Sequence, residues 1–141
     1  TRTGFWSGED LQIRARLSAF TDGAAHHHAW EERQRDKSAI LGALQRENLL
    51  PHGVTQDLAT APAMTTDLCQ AIHTYLARTP SCIVLANLED GLGELSQTNL
   101  PGTIDSHPNW TRKYAIPVDE IMCDERLRRL GSVLCSTRQL R

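Results

Sequence analysis

The chain has no excess of charge of one sign: 15 basic and 17 acidic side chains leave a net charge of −2, which excludes a strongly basic nucleic-acid binder. It has no apolar run approaching the ~18–20 residues of a membrane span. No Lys/Arg-then-apolar segment opens it in the manner of a signal peptide. It also has no C-x-x-C pair, because Cys69, Cys82, Cys123 and Cys135 stand 13, 41 and 12 positions apart. At 15.7 kDa it is not a small disulfide scaffold, so the four are read as reduced thiols, mostly core fillers, in a cytoplasmic protein. What it does have is 40 % apolar residues over 141 positions, which rules out disorder and suits one domain with a real core.

Hydrophobic spacing predicts mostly helices. Residues 9 to about 17 fit a short helix through Leu11, Ile13 and Leu17, and Thr21-Asp22-Gly23 reads as a turn or helix entry. A longer helix is expected over about 25–47, with Trp30, Ile40, Leu41 and Leu44 on one side, Glu31, Glu32, Arg35 and Asp36 solvated, and Asn48 as its stop. After a polar connector, Thr65 or Thr66 caps the clearest helix, whose stripe is Leu68, Cys69, Ile72, Tyr75 and Leu76 and which ends at Thr79-Pro80. The pattern then changes: Ser81-Cys82-Ile83-Val84-Leu85-Ala86-Asn87-Leu88 is a continuous run rich in β-formers. Its composition predicts a parallel strand over about 82–88, buried on both faces. A turn of helix over 89–94, a long loop over 96–116 and a final helix from 117 to about 134 complete the chain. That last helix turns Ile121, Met122, Leu127, Leu130 and Leu134 inward.

One strand makes no sheet, and no second one is evident. The opening Thr1-Arg2-Thr3-Gly4-Phe5-Trp6 has no Met and two aromatics, where a true terminus is usually polar and loose. We therefore expect the missing strands upstream and the chain to be cut from something longer.

The residues with chemical potential each have a plain reading beside the sharper one. His26-His27-His28 invites a metal site, but neighbours on a helix point about 100° apart, so a solvated polar patch is favoured and no metal or cofactor is expected. Arg126, Arg128 and Arg129 lack a glycine-rich cradle and read as a solvated helix face. Glu89, Asp90, Glu94 and Asp105 invite a glycosidase pair, yet spacing alone cannot bring two of them to the ~5–5.5 Å of a retaining enzyme, and Asp90 reads as the cap of its helical turn. No serine or cysteine nucleophile has an evident histidine partner. Trp110, beside Arg112, either stacks on a sugar or covers a core edge, and Phe5-Trp6 carries the same ambiguity. Asn99-Leu100-Pro101-Gly102-Thr103 predicts a type II turn with Gly102 at positive φ, able to aim Asn99 and backbone groups at a polar ligand.

Taken together, Leu88-Glu89-Asp90, Asn99-Leu100-Pro101-Gly102-Thr103 and Asn109-Trp110-Thr111-Arg112-Lys113 resemble the end of bacterial 4-alpha-glucanotransferases (amylomaltase, the maltodextrin disproportionating enzyme). Thr1 and Gly4-Phe5-Trp6 resemble the continuation of that family's Thr-His-Asp-x-Pro-Thr motif and its aromatic sequel. The resemblance implies an α/β fold, the C-terminal portion of a (β/α)8 TIM barrel of the alpha-amylase clan, mostly helical in this stretch. It implies retaining transfer of α-1,4-glucan segments between maltooligosaccharides, using an Asp nucleophile, a Glu acid/base and a stabilising Asp.

Since Thr1 matches the Thr of the motif, all three catalytic carboxylates are expected upstream of it and none lies in this chain. Asn99, Pro101, Gly102 and Thr103 carry over as a substrate-binding rim. Thr111 departs from the long side chain common after Asn-Trp there, so it inherits no role.

The division that follows is 1–63 as a helical segment after an upstream strand, 64–95 as a helix–strand–turn unit, 96–117 as the active-site-rim loop and 118–141 as a terminal helix. The expected partners are the α-glucan and the missing N-terminal part of the same barrel, with no nucleic acid and no membrane. The isolated chain is expected to be inactive and marginally stable. A small non-catalytic helical binding or adaptor module is the competing reading.

Overall fold

The computed structural model describes residues 1–17 and 22–138. Among these the regular structure is helical: α1 (Arg2–Ser7), α2 (Glu9–Arg16), α3 (Gly23–Arg46), a 3-10 turn (Leu58–Thr60), α4 (Thr66–Arg78), α5 (Leu88–Leu92), α6 (Val118–Ile121) and α7 (Glu125–Arg138).

Local chemistry sets most of these boundaries. Asp22 caps α3 by accepting from the Ala25 N–H at 2.7 Å; Thr21 of the expected entry lies outside the described residues. At the other end Asn48 is left-handed (φ 54°), the Leu49 N–H reaches the Leu44 carbonyl at 2.8 Å and the Asn48 N–H reaches that of Gln45 at 3.0 Å. This is a Schellman stop, which satisfies carbonyls the helix would otherwise orphan. Thr65 caps α4 through the Leu68 N–H at 3.1 Å, and Asp67 follows in its first turn.

The core forms where α1, α3, α4 and the connector meet. Trp6, Leu41, Leu44, Ala61, Leu68 and Ala71 are buried together. Trp6 is 1 % exposed and its indole N–H donates to the Ala61 carbonyl at 2.8 Å, so its polar tip is satisfied inside. The aromatic opening thus packs within the chain and does not lack partners. Gly8 (φ 84°) turns α1 into α2, and a Cβ there would stand 2.1 Å from the Trp30 ring. Arg33, reaching back from α3, pairs with Asp10 at 2.7 Å and lies 3.9 Å from the Phe5 ring centroid. On the other face, α4 packs chiefly against α7.

Several expectations are corrected. Residues 82–88 form no strand, and no strand occurs among the described residues. The α/β, barrel-portion reading is therefore replaced by an all-helical architecture. Residues 81–87 form neither helix nor strand and lie at the surface, with Ile83 76 % and Leu85 80 % exposed. β-Forming composition is not enough: a strand needs a neighbouring backbone to exchange hydrogen bonds with, and the described residues supply none. What fastens the segment is a side chain, Arg138, donating to the carbonyls of Ser81 at 2.6 Å and Cys82 at 3.1 Å.

The final helix is two helices. Asp124 interrupts it, accepting from the Arg126 N–H at 2.9 Å to start α7, and Met122 points outward, 82 % exposed. Of the cysteines only Cys69 fills the core, whereas Cys82, Cys123 and Cys135 are exposed free thiols.

Candidate functional site

The loop between α5 and α6 carries the residues singled out as a rim. Its centre is the turn expected from Pro-Gly: the Thr103 N–H donates to the Leu100 carbonyl at 3.3 Å, with Gly102 at φ 84°. Pro101 and Gly102 are exposed, while Asn99 and Thr103 are half-buried. Leu100 and His107 are buried, and His107 lines a pocket with Glu9, Ile13 and Arg16 of α2.

The turn is held by a residue that sequence reasoning quoted in a motif but gave no part in the site. The Asn109 amide spans it: Oδ1 accepts from the Leu100 N–H at 2.8 Å, and Nδ2 donates to the Thr103 carbonyl and Oγ1, both at 2.9 Å. The following N–H, that of Trp110, donates to the Thr98 carbonyl at 2.9 Å. Asn-x-Pro-Gly-Thr and Asn-Trp are therefore one structural unit. The signal that could have revealed this is the pairing itself, an Asn a few residues beyond a Pro-Gly turn that needs its flanking groups satisfied. Trp110 has φ 61° and is 75 % exposed, so it covers no core edge, unlike Trp6.

Two of the four candidate carboxylates hold this loop, Glu89 from α5 and Glu94 from just beyond its end. Glu89 accepts from the Thr98 hydroxyl at 3.0 Å and from the Tyr114 hydroxyl at 3.4 Å; Glu94 accepts from the Ala115 N–H at 2.9 Å. Desolvation, then the Glu89 carboxylate, push the Tyr114 phenol above its ordinary value.

Asp90 is buried and does not cap its own helix. It accepts from the Arg2 N–H at 2.6 Å and pairs with the Arg2 guanidinium, so it caps α1 from across the molecule. Asp105 lies exposed on the loop. The geometry thus engages three of the four carboxylates in bonds that hold structure together.

The helical spacing of Cys69 and His73 brings a thiol within 3.6 Å of an imidazole, a pairing not foreseen from sequence. It is chemically quiet. Burial pushes the Cys69 thiol up to about 11, and burial also lowers His73, whose Nδ1 is engaged by the Cys69 carbonyl at 2.8 Å.

Elsewhere His27 and His28 face Glu31 and Glu32, each at 3.6 Å, and His26 Nε2 accepts from the Trp30 indole at 3.1 Å, so the triplet is divided among separate partners. Arg126 is not merely solvated: it chelates Asp124 and donates to the Leu92 carbonyl at 2.7 Å.

The site is thus a clasped polar loop on a helical support, with Glu89, Asp90 and Glu94 engaged in structural bonds. Residues 1–118 match the 4-alpha-glucanotransferase family, and the chain belongs to that family. It is similar to the 4-alpha-glucanotransferase of Haemophilus influenzae, 35 % identical over 124 residues that cover 88 % of this chain and 18 % of the relative. It is also similar to the proteins of that name from Mycobacterium bovis and Mycobacterium tuberculosis, each 28 % identical over 137 residues, 93 % of this chain and 18 % of the relative. The chain spans less than a fifth of the length of the curated relatives it matches.

Proposed function

We propose that this chain forms the substrate-rim part of a retaining 4-alpha-glucanotransferase, which moves α-1,4-glucan segments between maltooligosaccharides. Asn99, Pro101, Gly102 and Thr103 touch the glucan. The observation that carries this reading is the clasped turn, a preorganised polar edge lying inside the family-matched residues.

Retaining transfer requires two carboxyl groups about 5–5.5 Å apart, one as nucleophile and one as acid then base. The family resemblance implies that the nucleophile, acid/base and stabilising carboxylates come from polypeptide preceding Thr1 in the whole enzyme, and the structural bonds of Asp90, Glu89 and Glu94 accord with that. That polypeptide also covers the exposed apolar side chains of Ile83, Leu85 and Ile104. No cofactor takes part. The free thiols suit a cytoplasmic setting, and no helix among the described residues is long and apolar enough to cross a membrane.

The test is transplantation. This chain replaces the matching segment of the Haemophilus influenzae relative, and maltotriose disproportionation is followed. The chimera is expected to produce glucose and longer oligosaccharides, and the free chain to produce neither. Turnover by the free chain would overturn the carboxylate assignment, and a folded but inactive chimera would overturn the rim assignment.

The core closed around Trp6 supports a second reading, a helical binding module without catalysis. A chimera that folds without turnover favours it.

A further inference from the structure

We infer that Asn109 is a positioning residue for glucan binding: its side-chain amide sets the conformation in which the Pro101–Gly102 turn and Asn99 meet the substrate. This rests on the rim reading above. Asn109 is not itself placed against the sugar.

The turn sits in a loop that runs from the end of α5 to the start of α6 without a helix or strand. A loop of this kind spends binding energy on ordering unless something orders it in advance. One planar amide does so here. Its oxygen end meets a donor, the Leu100 N–H, and its nitrogen end meets two acceptors on Thr103, so all three bonds (2.8, 2.9 and 2.9 Å) have the correct sign in only one orientation of the amide.

Asn109 is itself fixed from behind. Its N–H donates to the His107 carbonyl at 2.8 Å, and the next N–H, on left-handed Trp110, is tied to Thr98. A non-glycine residue is held in that region only when its surroundings over-determine it. The backbone strain at Trp110 is therefore borne where it directs Asn109 at the turn. Asn99 lies next to the clasped Leu100, so releasing the clasp frees the residue proposed to touch the substrate.

The test uses the transplanted enzyme, with Asn109→Ala and the near-isosteric Asn109→Asp. The Asp variant keeps the acceptor for Leu100 and loses both bonds donated to Thr103. Loss of uniform binding raises KM and leaves kcat alone. Asn109→Ala is expected to raise KM for maltotriose about tenfold with kcat within about twofold, and Asn109→Asp to raise it at least as much, because a carboxylate oxygen in place of Nδ2 would face the Thr103 carbonyl oxygen.

Amide hydrogen exchange on the same variants should speed at Leu100 and leave α3 and α4 unchanged. KM within about twofold of the parent in both variants would overturn the inference, as would a fall in kcat at unchanged KM. A folded but inactive parent chimera brings down the rim reading and this inference with it, whereas an active parent with indifferent Asn109 variants brings down this inference alone.

Discussion

Arg2 and Asp90, 88 positions apart in sequence, fasten the first helix to the fifth: the Arg2 N–H and guanidinium both bond the Asp90 carboxylate, whose side chain is 2 % exposed. Arg2 retains 22 % side-chain exposure, so the pair is buried on one side only. Removing one partner of a fully buried pair costs about 3–5 kcal/mol, and solvent access to Arg2 reduces that. Asp90→Ala is expected to destabilise the chain by about 2 kcal/mol, read from urea unfolding. A change below about 0.5 kcal/mol would show that the contact contributes nothing net.

Trp6 tests whether the opening helix belongs to the core. Trp6→Phe keeps most of the buried ring but leaves the Ala61 carbonyl without its 2.8 Å donor, a cost of about 1–3 kcal/mol. Trp6→Ala adds a cavity among Leu41, Leu44 and Leu68 and should cost about 3–5 kcal/mol. Denaturant midpoints should follow that order. Equal midpoints for the two variants would mean that ring volume contributes little.

Where side-chain chemistry acts within a few residues, the sequence shows the structure plainly. The Thr65 cap, the Asn48 stop and the Gly102 turn all fall where the residue types place them. Where the outcome depends on a distant partner, local pattern misleads. Ile83 and Leu85 have the composition of a buried strand but no neighbouring strand to pair with, so they lie exposed. Asp124 breaks the last helix with no proline or glycine to announce it. Asp90 looks like a local cap until Arg2 arrives from the other end of the chain. Within the site, the turn was legible and its Asn109 clasp was not, because that clasp depends on the path of the loop between them.

Gly8 and Gly102 share φ 84°, which allows strain and steric clash to be separated. At Gly102 an added Cβ meets nothing within 4 Å, so Gly102→Ala should cost only the left-handed penalty, about 1–2 kcal/mol. At Gly8 the Cβ would strike the Trp30 ring, adding displacement of a half-buried indole to the same penalty. Gly8→Ala should therefore be the more destabilising in thermal melts. The reverse order would mean that Trp30 moves aside freely.

Acid sensitivity follows from two groups held below their ordinary values. Burial raises the Asp10 carboxyl, but the Arg33 hydrogen bonds and charge outweigh it and leave a net depression from 3.8. For a depressed carboxylate the stabilisation is complete above the unfolded value near 3.8 and is lost as pH falls through the lower folded value.

His73 is lowered from 6.5 mainly by burial, which favours its neutral form. The unfolded imidazole therefore takes up its proton first, and stability declines as pH falls below about 6.5 toward the folded value. Urea midpoints measured against pH should show an upper decline that His73→Gln removes and a lower one that Arg33→Ala weakens. An upper decline that persists in His73→Gln would assign it to another group.

Thiol reactivity separates the four cysteines. Cys82, Cys123 and Cys135 are exposed, whereas Cys69 is buried on α4 with its thiol pushed up to about 11. The thiolate is the reactive form, so near pH 8 almost none of Cys69 is available even to a reagent that reaches it. A chromogenic disulfide reagent should titrate three thiols quickly under native conditions and the fourth only as the chain unfolds. The rate for that fourth thiol should fall with added osmolyte, since opening of the α4–α7 contact limits it. Rapid modification of all four would mean that Cys69 is reached without unfolding.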